Sequence, residues 1–371
     1  MELKSFDRDP GLKRDFLDFP KKLYGTDKNW APYMISNQED CLAPTFRFYQ
    51  NPENCYRHFL IYSGIEVAGR ITAFVNHGMH DDQGKAVKAL GFFECIDDKN
   101  IASRLIGAGV EWLLRQNGSD RILGPINFDI WAGYRFLKSC GRNPYLLEPY
   151  NKPGYSLYFS DFGFREKYLW YSYHLSQPEE VRQLAGTGTM RQEMFMSKGY
   201  RFESMEDRDF DQSLTIIYQI MQKSFSGFKS FTPISLADFM NIFYAFEKMI
   251  DPALFTFVYD PQNKPVGFVC SLPDWADALR FKYRKETRAA WYASRHLTKM
   301  ILYMGGILPE HSQNEPGLGR AMFAYNLQCM LRRGAGELFV ALIAAGNKSM
   351  NYMTDFENNR SGSYALYEYE V

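Results

Sequence analysis

The sequence has no excess of charge of either sign. Its 371 residues include 43 basic and 43 acidic side chains, so the formal net charge is zero. A protein that mainly binds a nucleic acid backbone normally carries a basic excess, and we therefore expect no nucleic acid partner. The hydrophobic fraction of 46% excludes an intrinsically disordered chain, and the length favours two domains.

The sequence also lacks a long apolar segment and paired metal ligands. No run approaches the about 20 apolar residues of a membrane span, and the first twenty residues are charged throughout, without the apolar core of a signal peptide. The six cysteines and six histidines are scattered, with no Cys-x-x-Cys or His-Glu-x-x-His spacing. We expect a cytoplasmic protein with no membrane span and no bound metal, and the sequence leaves its oligomeric state open.

The first half of the chain contains a series of strand patterns followed by a helix pattern. Runs rich in Val, Ile, Phe and Tyr, separated by turn residues, predict strands at 58–62, 70–75, 89–95 and 121–123. Asp97 and Asp98 offer an N-cap to a helix whose apolar face repeats at intervals of four, three and four residues from Ile101 to Trp112.

The second half of the chain repeats this outline. Strands are predicted at 255–259, 266–272, 299–307 and 337–343, and a helix pattern runs from Leu318 to Cys329. Between the two series, Ser-Gln-Pro and Gly-Thr-Gly-Thr interrupt both periodicities. We therefore predict domains at 1–175 and 206–371 with a linker at 176–205. A basic insertion at about 274–295 is either a solvated helical face, or a lid or a contact for phosphate-bearing ligands.

A glycine-containing loop joins the predicted strand at 299–307 to the helix that begins at Leu318. Gly317 and Gly319 let several backbone N–H groups converge, and the helix N-terminus adds positive potential, so the loop suits a pyrophosphate. A tight turn without a ligand is the alternative. A dinucleotide fingerprint is disfavoured, because the third glycine is absent and no acidic residue ends a following strand at the right distance.

The order of strand, glycine loop, helix and strand, followed by Asn347 and Tyr352, resembles the GNAT superfamily of N-acyltransferases. The motif of that superfamily, Gln/Arg-x-x-Gly-x-Gly/Ala, cradles the pyrophosphate of acetyl-coenzyme A. Here Asn314 takes its first position, and Gly317 and Gly319 match. Over most of its length the chain resembles a family of bacterial tandem-GNAT proteins, through phrases at 91–94, 124–128, 149–155, 266–268 and 272–274.

The resemblance implies a fold and a coenzyme. The fold class would be α/β (α+β), with two tandem GNAT-like domains, each a mixed, mostly antiparallel twisted sheet flanked by helices. Acetyl-coenzyme A or another acyl-coenzyme A would be held in the second domain by Ile307, Asn314, Gly317, Leu318, Gly319, Arg320, Ala321 and Asn347. In the first domain Asp97 and Asp98 occupy the place of the phosphates and would repel them, so that domain is expected to be degenerate, without a phosphate loop.

The implied reaction transfers the acyl group to an amine of a small molecule or a peptide. A backbone N–H of a splayed strand, with Gly305 and Gly306 as the kink, would polarise the thioester carbonyl. Glu310 or His311 would act as the base, and Tyr352 as the acid that protonates the departing thiolate. The alternatives are a non-catalytic protein that binds acyl-coenzyme A or another small ligand, and an aminoacyl transferase that uses charged tRNA.

Two asparagines of the first half have two interpretations. Asn127 follows the Gly-Pro-Ile phrase, and Asn151 lies in the phrase at 149–155. They either line an acceptor cleft or tie down loops through bonds from side chain to backbone.

Overall fold

The computed structural model describes residues 1–30, 38–227, 231–283 and 297–371. The chain divides into two compact units. Met1–Trp170 with Gly362–Val371 form the first unit, and Tyr171–Ser361 form the second. Of the basic insertion predicted at 274–295, residues 284–295 lie outside the described residues.

Each unit contains β-strands with helices packed against them. The strands are β1 (Glu2–Phe6), β2 (Cys55–Ser63), β3 (Glu66–His80), β4 (Ala86–Cys95), β5 (Arg121–Gly124), β6 (Ile126–Asn127), β7 (Asp129–Tyr134), β8 (Phe136–Cys140), β9 (Arg165–Leu175), β10 (Arg201–Ser204), β11 (Phe255–Tyr259), β12 (Pro265–Pro273), β13 (Lys299–Ile307), β14 (Glu337–Ala344) and β15 (Arg360–Glu370). The helices are α1 (Pro10–Leu23), α2 (Lys99–Leu114), α3 (Tyr155–Phe162), α4 (Pro178–Gly186), α5 (Thr189–Ser197), α6 (Phe210–Ser224), α7 (Leu236–Tyr244), α8 (Ala276–Tyr283), α9 (Pro309–Asn314) and α10 (Leu318–Arg332). In the described part of the chain, no helix is both long and apolar enough to cross a membrane.

The first unit orders its strands β1-β2-β3-β4-β5-β15. Neighbouring strands are antiparallel except β4 and β5, which are parallel. The last strand of the chain, β15, pairs with both β5 and β8 of this unit. Its Ala365 and Tyr367 are buried in the same core cluster as Phe136 and Phe159. The first unit is therefore completed by a segment that lies far away in sequence.

Helix α2 packs on β2, β3 and β4, and its bounds agree with the sequence pattern. The Asp98 carboxylate caps it by accepting from the amides of Asn100 (2.8 Å) and Ile101 (3.2 Å). Ile101 and Leu105 are buried in the core of the unit. Burying such side chains contributes about 1.5–3 kcal/mol each, so this face holds the helix on the sheet.

The second unit repeats the outline, with the strand order β14-β13-β12-β11-β10. Strands β13 and β14 are parallel, and the other neighbours are antiparallel. Helix α10 buries Leu318, Met322 and Cys329 of the face that its sequence pattern predicts, and Tyr325 of the same face is half-buried. Both units therefore contain the mixed, mostly antiparallel sheet flanked by helices that the sequence predicts.

Helices α4 and α5 lie in the range 176–205, and both pack against α10. Gly188 separates the two helices. A Cβ at Gly188 would lie 2.4 Å from the carbonyl oxygen of Arg320 and 2.8 Å from the Cβ of Ala324. This glycine therefore permits the start of α5 to approach the backbone of α10 closely.

Candidate functional site

Strands β13 and β14 separate part of the way along their length. Their parallel register joins Lys299–Leu302 to Glu337–Val340 and then ends, although both strands continue. A register shift in the β12–β13 pairing falls at Tyr303, because Met304 and Leu302 face consecutive residues of β12. The two strands therefore form an opening beyond Leu302 and Val340, where their parallel register ends.

The expectation that Gly305 and Gly306 form the kink is wrong. Both glycines pair in regular antiparallel register with β12, and the irregularity lies two residues earlier, at Tyr303. The glycines serve close packing instead. A Cβ at Gly305 would lie 3.2 Å from the Phe323 ring, and one at Gly306 would lie 2.6 Å from the Oγ of Ser224.

The glycine loop lies directly after β13 and the short helix α9. Gly317 adopts a left-handed φ of 98° and occupies the N-cap position of α10, where it offers no side chain to the helix. The amide of Ala321 is the first to bond back to the Gly317 carbonyl, at 3.1 Å. The amides of Gly319 and Arg320, which precede it, have no acceptor inside the helix and can donate to an anion.

Side chains from three segments surround this loop. A Cβ at Gly319 would lie 2.7 Å from the Oη of Tyr352, and one at Gly317 would lie 2.6 Å from the Nη1 of Arg191. Arg320 donates to the carbonyl of Asn351 at 2.9 Å, and its guanidinium lies 5.0 Å from the centre of the Tyr352 ring. Two cations and free amides around glycines without side chains fit a phosphate-bearing ligand.

Tyr352 is brought to the glycine loop by the 3-10 turn Lys348–Tyr352. Its ring packs edge-on against Phe323, with 5.5 Å between the ring centres. Burial raises the pKa of the Tyr352 hydroxyl, and the charges of Arg320 and Arg191 oppose part of that shift. The hydroxyl is therefore protonated at neutral pH and can donate.

The two predicted bases lie on α9. Glu310 is exposed to solvent. The imidazole of His311 is half-buried, with Nδ1 3.3 Å from the Oη of Tyr200 and Nε2 3.8 Å from the Oδ2 of Asp260. His311 thus contacts Tyr200 and Asp260. A side chain at Gly319 would instead meet Tyr352 and Ile307, so the residues that border the predicted base differ from those that border the glycine loop.

The other predicted coenzyme ligands divide into two groups. Ile307, Leu318 and Ala321 lie at the loop, and the Cδ1 of Ile307 would be 3.4 Å from a Cβ at Gly319. Asn314 is exposed at the end of α9. Asn347 is also exposed, and its side-chain carbonyl accepts from the amide of Ser349 at 2.8 Å, which caps the turn that carries Tyr352.

Sequence reasoning missed Arg191. It lies on α5, in the range that Gly-Thr-Gly-Thr marks as a break, and reaches the loop only because Gly188 seats α5 against α10. The sequence contains one signal for this position, because Arg191 follows three residues after Gly188, a glycine that permits close helix packing. The sequence does not indicate that the helix packed there is α10.

The first unit contains a similar opening that its own chain fills. The parallel register of β4 and β5 covers only Lys88–Ala89 against Ile122–Leu123. Beyond it, a Cβ at Gly91 would lie 1.8 Å from the carbonyl oxygen of Ile126. The Oδ1 of Asn127 accepts from the amide of Phe92 at 2.7 Å. In the first unit the amide of this strand is thus bonded to a side chain of the same chain.

Asn127 and Asn151, which the sequence assigned either to an acceptor cleft or to loop fixation, both form hydrogen bonds with the backbone. Besides the bond of Asn127, the Oδ1 of Asn151 accepts from the amide of Leu137 at 2.7 Å, and its Nδ2 donates to the carbonyl of Lys152 at 2.9 Å. These bonds hold loops in place. Within the described residues, no group of three or more His, Cys, Asp or Glu side chains could hold a metal ion.

Solved structures that resemble this chain include GNAT proteins. A tandem GNAT protein from the clavulanic acid biosynthesis pathway aligns with a TM-score of 0.52 at 12% identity, over 100% of this chain and 98% of its own. A GCN5-related glucosamine N-acetyltransferase region of a fungal multi-domain β-N-acetylglucosaminidase aligns with a TM-score of 0.52 at 12% identity, over 99% of this chain and 38% of that one. A probable N-acyltransferase from Enterococcus faecalis gives 0.50 at 8% identity, over 99% and 72%. The chain therefore has a tandem GNAT fold.

Two proteins are related to the chain in sequence, while no family model matches it. Protein YghO of Escherichia coli (strain K12) is 21% identical over 268 residues, which are 71% of this chain and 66% of YghO. Bacterial ceramide synthase of Caulobacter vibrioides is 23% identical over 271 residues, which are 72% of this chain and 68% of that protein. The match to YghO spans just under two thirds of its length.

Proposed function

We propose that the protein is an N-acyltransferase that takes its acyl group from an acyl-coenzyme A bound by the second unit. The observation that carries this proposal is the loop at Gly317 and Gly319. It presents uncommitted helix amides, two arginines and the hydroxyl of Tyr352 beside the opening between β13 and β14. The tandem GNAT fold is consistent with this activity.

The chain's own residues have separable tasks in this proposal. The bound thioester would supply an acyl group that is activated for attack by an amine. The amides of Gly319 and Arg320 hold phosphate oxygens, and the end of β13 that lies beyond its register with β14 would offer a backbone N–H to a developing oxyanion. Tyr352 donates its Oη proton to the departing thiolate.

His311 is the proposed base, in preference to the exposed Glu310. Its Nδ1 lies within hydrogen-bond distance of the Tyr200 hydroxyl, at 3.3 Å, and its Nε2 lies 3.8 Å from the Asp260 carboxylate, so both groups border the proposed base. A water molecule carries the acceptor's proton to it, because the contacts of His311 do not include the glycine loop. Coenzyme binds once per chain, because Ile126 and Asn127 fill the opening of the first unit.

A lipid amine is the acceptor class to test first. This choice rests on bacterial ceramide synthase, whose match covers 72% of the chain. A ceramide is an N-acylated sphingoid base, so this relative's name points to an amine with a long alkyl chain. The other acceptor class is a polar amine of a small molecule or a peptide.

Thiol release in the presence of amines tests the proposal. Acyl-coenzyme A of short and long chain length is mixed with the protein and with either a sphingoid base or a panel of polar amines. Free thiol and N-acyl product are then measured. We expect amine-dependent thiol release and one coenzyme A per chain by calorimetry.

The outcomes separate the proposed activity from its alternatives. At a hundredfold excess over Kd, coenzyme A should stabilise the protein by about 2.7 kcal/mol. Stabilisation without product for any amine would favour a non-catalytic binding protein. Absence of both the stabilisation by coenzyme A and the N-acyl product would refute acyl-coenzyme A as the donor.

A further inference from the structure

The start of α5 is fixed against α10. The backbone at Gly188 lies so close to α10 that a Cβ would contact the Arg320 carbonyl oxygen at 2.4 Å. One residue later, the Oγ1 of Thr189 lies 3.4 Å from the Nε2 of Gln328. Arg191 follows in the first turn of α5, so its backbone position relative to the glycine loop is set by these contacts.

The side chain of Arg191 extends along Gly317. A Cβ on Gly317 would lie 2.6 Å from its Nη1, 3.1 Å from its Cδ and 3.3 Å from its Cζ, so the whole guanidinium end borders the loop. The residue is exposed, and among the described residues no carboxylate forms an ion pair with it. Arg191 is therefore a cation beside the loop that forms no ion pair with any carboxylate of the described residues.

The loop lacks a charged or long polar side chain of its own at the first position of its motif. Asn314 stands there, where Gln or Arg is usual in the resembling superfamily, and it is exposed at the end of α9. An asparagine side chain is shorter and neutral. A guanidinium presents several N–H donors in a planar fork that matches phosphate oxygens, and it stays charged at any physiological pH.

We propose that Arg191 binds the pyrophosphate of the donor coenzyme and supplies, from α5, the contact that Asn314 does not provide. The inference rests on the proposed function, because the ligand is the coenzyme assigned to this loop. The pyrophosphate is the assigned group because Arg191 borders Gly317, in the same turn as the free amides of Gly319 and Arg320.

Calorimetric binding of two ligands tests the assignment. Coenzyme A and 3′-dephospho-coenzyme A are titrated into the wild type, Arg191→Gln, Arg191→Lys and the control Arg182→Gln. Arg182 is an exposed arginine of α4 that pairs with Glu179. Unfolding of each variant without ligand is recorded, and we expect all of them to unfold as the wild type does, because both arginines are exposed.

The expected result is an equal loss for both ligands. Arg191→Gln should weaken coenzyme A and dephospho-coenzyme A by about 10- to 100-fold, because a charge-assisted contact is lost. Arg191→Lys should recover part of the affinity, and Arg182→Gln should bind as the wild type does.

Three other results have distinct meanings. If the wild type binds neither ligand, the proposed donor is wrong and the inference fails with it. If the wild type binds both and Arg191→Gln binds them equally well, the role of Arg191 is refuted while the proposed function stands. If Arg191→Gln weakens coenzyme A alone, Arg191 contacts the 3′-phosphate, and the pyrophosphate assignment is overturned.

Discussion

Replacing Gly319 with alanine separates ligand binding from folding at the proposed site. The added Cβ would lie 2.7 Å from the Oη of Tyr352 and 3.4 Å from the Cδ1 of Ile307. It therefore projects into the space above the free amides of α10, where a phosphate oxygen would approach. The tyrosine hydroxyl is the far end of a side chain, so the ring can shift by a few tenths of an ångström.

The effects on stability and on affinity should differ in size. Alanine in a helix is favoured over glycine by up to about 1 kcal/mol, which offsets the contact with Tyr352. We therefore expect the free energy of unfolding to change by less than about 1 kcal/mol. Loss of a hydrogen bond to a charged ligand costs about 1.5–3 kcal/mol, which corresponds to about 10- to 150-fold weaker binding of coenzyme A.

Calorimetry and urea denaturation measure the two quantities on the same preparations. Gly186→Ala is the matched control, because a Cβ at this glycine of α4 meets no atom within 4 Å. The control should bind coenzyme A with wild-type affinity. Wild-type affinity in Gly319→Ala, or an equal loss in the control, would contradict a phosphate site at this loop.

Three further predictions concern other residues of the two units. Tyr352→Phe should lower turnover by about 10²–10⁴-fold, because the proton donor is lost; unchanged turnover in a steady-state assay would exclude Tyr352 as the acid. Gly91→Ala should lower the free energy of unfolding, measured by urea denaturation, by about 3 kcal/mol or more, because the added Cβ would lie 1.8 Å from a backbone oxygen. Gly141→Ala is the control and should change it little, because a Cβ at Gly141 meets no described atom within 4 Å. Burial lowers the pKa of His58 to about 3, whereas in the unfolded chain the same imidazole binds a proton near pH 6.5. Because the unfolded chain therefore binds more protons, the free energy of unfolding of the wild type should fall by about 1.4 kcal/mol per pH unit from pH 6 to pH 4, relative to His58→Phe. Parallel stability curves for these two proteins would contradict that titration.

Local signals made much of the fold predictable. The Asp98 cap and the spacing from Ile101 onward define α2, and the face from Leu318 to Cys329 defines α10, because both depend on residues within a few turns. The strands at 255–259 and 299–307 agree with the structure to the residue. Pairing partners are a different matter. Nothing near β15 in sequence indicates that it pairs with β5, since strand pairing is set by the whole fold.

The candidate site was predictable only in part for the same reason. Gly317 and Gly319 could be predicted because they form a motif directly at the start of a helix. Tyr352 could be predicted because the resemblance places a tyrosine after the strand that follows this helix. Arg191 reaches the loop from the range 176–205. In the sequence Gly188 indicates only a break in this range, whereas in the fold it allows α5 to pack closely on α10. The irregularity of β13 lies at Tyr303, whereas Gly305 and Gly306, which the sequence suggested for it, pack closely against Phe323 and Ser224.

The position of β15 has a consequence for synthesis of the chain. Because Gly362–Val371 belong to the first unit, that unit cannot be completed until roughly 200 further residues have been translated. At about 5–20 residues per second this delay is about 10–40 s. During that time β5 lacks its antiparallel partner β15, and the core lacks Ala365 and Tyr367. The first unit is thus exposed to chaperones, proteases and other nascent chains for as long as the second is being made.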